Sequence, residues 1–133
     1  MIYPMFAMVF ITFLIGLYTF VVRVQSVRSR KLNYRAFLLM NAESYPENVQ
    51  KTTRSFNNQF EIPVLFYAVC LAYLATGTLS ELALPLAWLF IALRLVHTAI
   101  HLTYNHLVHR FSVFWLSAFV VLAMWVDLVV KIS

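Results

Sequence analysis

The sequence predicts an all-α integral membrane protein, a bundle of four transmembrane helices. Three observations carry that fold class. The 133 residues are 62% hydrophobic and only 11% charged, far too little polar surface for a soluble domain of this size. The apolar residues stand in long runs rather than in the half-and-half pattern of a soluble core. The basic residues cluster between those runs: seven of the ten, Arg23, Arg28, Arg30, Lys31, Arg35, Lys51 and Arg54, fall within residues 23–54. A single four-helix domain, residues 1–133, is all that the length allows.

The first run, residues 2–22, carries no charge and is long enough to cross a bilayer core of roughly 30 Å, so a first span is expected at about 2–23. No basic residues precede it and no small-x-small site follows, so it is not read as a signal peptide. The basic loop comes after it, at about 25–52, and the positive-inside rule places that loop in the cytoplasm and both termini on the outer side. Within the loop, residues 34–40 are expected to form a short interfacial helix.

The second span has a short apolar part, residues 62–75, less than the roughly 17 residues that a crossing needs. It must therefore reach back through Glu61 and Asn58 to Arg54, giving a span of about 54–76 that Gly77 ends. Pro63 denies a hydrogen bond to the Gln59 carbonyl, and the helix is expected to kink there. The third span is expected at about 82–105, with Pro85 tolerated in its first turns. The fourth is expected at about 110–131. Asp127 and Lys131, four apart near its end, read as a surface ion pair. Only the first span is free of charge, so it should be the most lipid-exposed, with the other three building a polar interior.

Residues three, four and seven apart share a helix face. Arg54, Asn58 and Glu61 form one such stripe, and Arg94, His97, His101 and Asn105 form another. Both run toward the basic end, where Arg110 begins the fourth span and Arg23 and Arg28 follow the first. The convergence predicts a pocket of arginine and amide groups with one carboxylate, suited to an anionic, peptide-like ligand. Arg94 and Glu61 could instead pair simply to neutralise each other, since each alone is expensive in a bilayer.

No metal is expected. His97 and His101 have ligand spacing, but all four histidines lie within residues 97–109, and only Glu61 offers a ligand from another span. Cys70, the single cysteine, excludes an intrachain disulfide and reads as a small core hydrophobe. Nucleic acid is excluded as a partner, because no groove-reading module has room to form.

The stretch Arg54-Ser-Phe-Asn-Asn-Gln-Phe-Glu61-Ile-Pro63 resembles the second-helix signature of the MAPEG family, membrane-associated proteins in eicosanoid and glutathione metabolism. Arg94-Leu-Val-His97-Thr-Ala-Ile-His101 is similar to the third helix of the family's prostaglandin E synthase branch, with His101 at a position usually held by tyrosine. Arg110 falls where that branch carries its proposed catalytic arginine. Pro63 follows the glutamate one residue sooner than in several family enzymes. The wording from Asn58 to Tyr67 is most like bacterial members, which implies a bacterial inner membrane.

The resemblance implies a homotrimer with glutathione bound between subunits at the cytoplasmic side. It also implies that Arg110 stabilises the thiolate, while Arg54, Asn58, Glu61, Arg94, His97 and His101 bind the tripeptide. Arg28, or else Arg23, would reach a glutathione carboxylate from the adjoining subunit. A lipophilic electrophile would enter from the membrane lipids, making the protein a glutathione-dependent transferase or peroxidase. The alternative is a non-catalytic module that binds a lipid or a partner protein through the same pocket, since the resemblance includes at least one relative that binds lipid as an accessory protein without catalysis. A transporter is disfavoured by the lack of an internal repeat or of a polar path to the outer side.

Overall fold

The computed structural model describes residues 1–30, 32–33 and 45–133. The expected interfacial helix at 34–40 lies outside the described residues. Among these, four helical stretches are long and apolar enough to cross a bilayer, and none of the described residues is in a strand.

Helix α1, Ile2–Arg28, buries a single stripe that includes Met8, Ile11, Ile15, Thr19 and Val22, spaced three and four apart. Its other side turns Phe6, Phe13 and Phe20 outward, where lipid replaces water as the solvent. At about 1.5 Å per residue the helix exceeds the bilayer core, so it carries Arg23 and Arg28 out past the apolar zone.

Helix α2, Glu47–Asn57, begins well before the expected start at Arg54, because its buried face of Val49, Thr52 and Ser55 already packs. It lies along α1. Thr19 Oγ1 donates to the Thr52 carbonyl at 3.1 Å, and Arg23 Nη2 donates to Thr53 Oγ1 at 3.0 Å. Gly16 permits the approach: a Cβ there would lie 2.9 Å from the Phe56 ring.

The second span is then broken. A 3₁₀ turn over Asn58–Phe60 leads to Glu61, whose φ of −99° and ψ of −103° end the helical path. Helix α3, Ile62–Thr76, starts afresh with Pro63 in its first turn. The expected kink is thus a full break, since proline both lacks a donor and crowds the carbonyl four residues before it. Gly77, at φ 65°, ends α3 in the left-handed conformation that glycine adopts without cost.

Helix α4, Ala83–Leu102, is the most buried of the spans, whereas α1 and helix α5, Leu107–Ile132, are equally the least. The first span is therefore not uniquely lipid-exposed. The core joins Met8 and Ile15 of α1, Phe66 of α3, Phe90 of α4 and Met124 of α5. Phe66 and Phe90 stack with centroids 4.4 Å apart.

At the end away from the basic residues, Tyr73 reaches across from α3 to α5. Its hydroxyl donates to Asp127 Oδ2 at 2.6 Å, with the Met124 carbonyl 3.0 Å away. The expected Asp127–Lys131 ion pair is absent among the described residues, where the single ion pair joins Lys51 to Glu47 at 2.7 Å. A buried phenol that needs an acceptor outcompetes a lysine that water can solvate. Tyr73→Phe should lower the unfolding free energy in detergent by about 1–2 kcal/mol. Thermal unfolding followed by circular dichroism checks this, and an unshifted midpoint would count against the clasp.

Candidate functional site

The break in the second span sets the site. Because the chain stays tightly coiled through Asn58–Phe60, the side chains of this short stretch are divided between two sides. Asn58 and Glu61 face a polar cavity, whereas Gln59 and Phe60 line an apolar groove.

The polar cavity holds about 350 Å³ and lies among α2, the turn, α4 and α5. Arg54, Asn58, Glu61, His97, His101 and Arg110 all line it, so six of the eight residues singled out from the sequence are brought together. No α1 residue lines it, in keeping with an interior built by the later spans. Its size falls within the range of small-molecule sites, roughly 300–1,000 Å³. Arg54 and Glu61 are exposed, leaving one side open, while His97 and His101 form a buried back wall.

The other two predicted residues stand elsewhere. Arg28 is exposed at the end of α1 and does not reach this cavity within its own chain. Arg94 is fully buried behind the lining residues, and its Nη2 donates to the Asn58 carbonyl at 2.8 Å. No ion pair joins Arg94 to Glu61 among the described residues. The break explains this: it turns Glu61 toward the cavity and gives the guanidinium a backbone carbonyl instead.

Asn105 does not continue the α4 stripe, because α4 ends at Leu102. It sits in the following turn at φ 48°, and its Oδ1 accepts a hydrogen bond from Arg110 Nη1 at 2.7 Å. It thus holds the Arg110 side chain at the cavity mouth. Sequence reasoning missed the apolar wall of Leu107, Phe111 and Phe114. Their spacing of four and three around Arg110 was the available signal. Phe114 also packs near His97, with ring centroids 5.9 Å apart. Asn57, a further lining residue, had no distinguishing pattern.

The groove on the other side of the turn holds about 620 Å³. Phe13, Gly16 and Phe20 of α1 face Phe56, Phe60 and Tyr67 across it. No group of three or more metal-ligating side chains occurs among the described residues.

The sequence model of the MAPEG family matches residues 1–130. The chain belongs to the MAPEG family. It is accordingly an integral, multi-pass membrane protein of a family concerned with glutathione and eicosanoid metabolism, whose members are oligomeric. No curated protein and no solved structure matches the chain. For a MAPEG protein, the stretch that carried the resemblance, residues 54–63, contains the break and four of the cavity's polar residues.

The Asn105 turn separates two effects. Asn105→Gly keeps the left-handed backbone and removes only the brace on Arg110. Asn105→Ala also strains the turn, by about 1 kcal/mol. The alanine variant should therefore unfold at a lower temperature than the glycine variant, and equal midpoints would show that the turn tolerates a Cβ.

Proposed function

We propose that this MAPEG protein is a glutathione-dependent membrane transferase or peroxidase acting on lipophilic electrophiles. One observation carries the reading. Two arginines, asparagine amides and a single carboxylate meet at an open cavity whose remaining wall is apolar. Glutathione bears two carboxylates, one ammonium and a thiol. Arg54 and Arg110 supply the complementary cations, and Glu61 can receive the ammonium.

In this reading Arg110, braced by Asn105, stabilises the sulfur once its proton has left, because a nearby fixed cation favours the thiolate. The thiolate then attacks an electrophilic carbon, forming the S–C bond as the leaving group departs. With a hydroperoxide it attacks oxygen instead, releasing the alcohol, and a second glutathione completes the disulfide and water. Leu107, Phe111 and Phe114 offer the electrophile an apolar approach beside the sulfur. His97 and His101 fix the tripeptide from the back wall.

The assembly proposed is a homotrimer. The polar cavity opens on one side of the break and the apolar groove on the other. Two different faces of one chain make a head-to-tail contact, and three such contacts close a ring. In the ring, the exposed α1 terminus with Arg28 would reach the neighbour's cavity and add a carboxylate contact. The basic end faces the cytoplasm of a bacterial inner membrane, with both termini on the other side, as the positive-inside bias supports.

Calorimetry on the purified protein in detergent tests the ligand. Glutathione should bind saturably, and Arg110→Ala and Glu61→Gln should each weaken binding at least about tenfold, the loss of one charged contact. No binding at millimolar glutathione would remove this reading. Binding without turnover of an aryl halide or a lipid hydroperoxide would leave a non-catalytic lipid- or partner-binding module. The bound thiol should also ionise at a pH about 1–2 units higher in Arg110→Ala than in the unaltered protein. Thiolate absorbance against pH reads that shift directly.

A further inference from the structure

Helix α4 places Arg94, His97 and His101 at spacings that share one face, yet they end in different surroundings. His97 and His101 line the polar cavity. Arg94, one turn deeper, is fully buried and is not among the lining residues.

The guanidinium meets the broken backbone instead. Pro63 and the 3₁₀ turn interrupt the regular ladder over 58–62, and carbonyls there need partners that water cannot supply inside a bilayer. Arg94 Nη2 donates to the Asn58 carbonyl at 2.8 Å, a charge-assisted bond in a low-dielectric interior. Its Nε and Nη1 are buried as well and have no hydrogen-bond partner among the described residues, so the Asn58 carbonyl is the one acceptor there that meets the guanidinium. The residue whose carbonyl it holds, Asn58, and Glu61 three residues on both present side chains to the cavity.

We propose that Arg94 is a positioning residue, which holds the break in the second span so that Asn58 and Glu61 are presented to the cavity, rather than a residue that touches the ligand. Its link to glutathione rests on the function proposed above. Arginine suits the task because its planar fork can fix a carbonyl while its length spans from α4 to the turn.

Two measurements test this on the full-length protein in detergent. The first needs no ligand: amide hydrogen exchange in the unaltered protein, Arg94→Lys and Arg94→Met. Methionine fills a similar volume without a donor, and lysine restores the donor and the charge. Arg94→Met should speed exchange at least tenfold over residues 57–62 and leave residues 66–74 unchanged, while Arg94→Lys stays within threefold of the unaltered protein. Unchanged exchange over 57–62 would overturn the proposal, as would an equal rise throughout α3.

The second is a glutathione-binding cycle. Arg94→Met should weaken binding at least tenfold in the unaltered background and threefold or less in an Asn58→Ala/Glu61→Gln background, where the two side chains it positions are already removed. Equal losses in both backgrounds would mean direct contact and overturn the proposal. If the unaltered protein binds no glutathione, the proposed function falls, and hydrogen exchange alone decides the role of Arg94.

Discussion

A polypeptide inside a bilayer must satisfy its own backbone, and this chain breaks a spanning helix at the level of its polar residues. The break at Asn58–Glu61 is the constraint from which the rest of the site follows. An unbroken helix would carry Arg54, Asn58 and Glu61 as a simple stripe along one face. The 3₁₀ turn tightens that stripe around a corner and leaves carbonyls in want of donors. Arg94, a charge that would be costly anywhere else in α4, meets one of them. Two unfavourable features, a broken helix and a buried guanidinium, become tolerable by being placed together.

The same turn divides the surface of the bundle. The outer two residues of a four-residue stretch belong to a polar cavity and the inner two to an apolar groove, so a change in the turn acts on both faces. Gly16 matters on the groove side, where its missing side chain lets Phe56 settle against α1. Asn105 matters on the cavity side, where a left-handed turn places its amide under Arg110.

Much of this was legible in the sequence. Hydropathy gave the four spans because the bilayer imposes one length and one polarity on each. Pro63 announced the break and Gly77 the end of α3, since both residues act through local backbone chemistry. Helical spacing placed Arg54, Asn58 and Glu61 together, and likewise His97 and His101. Spacing could not say how deep each residue lies along its face: Arg94, on the same stripe as His97 and His101, is fully buried and does not line the cavity. Nor could it see partners across helices. Asp127 was paired with Lys131, four residues away, when its partner was Tyr73, two helices earlier. Asn105 was read as helical because a periodic pattern does not report where the helix stops.

The Tyr73–Asp127 bond has a mechanical meaning that its chemistry alone does not convey. It ties α3 to α5 at one end of the bundle, where Tyr73, Met124 and Leu128 form the last turn of the core. A tie at one end makes the two helices lever arms about that point. Small rotations at the tied end become larger displacements at the other, where α5 carries Arg110 and the second span carries its break. The clasp and the polar cavity thus stand at opposite ends of one bundle, joined by the core between them.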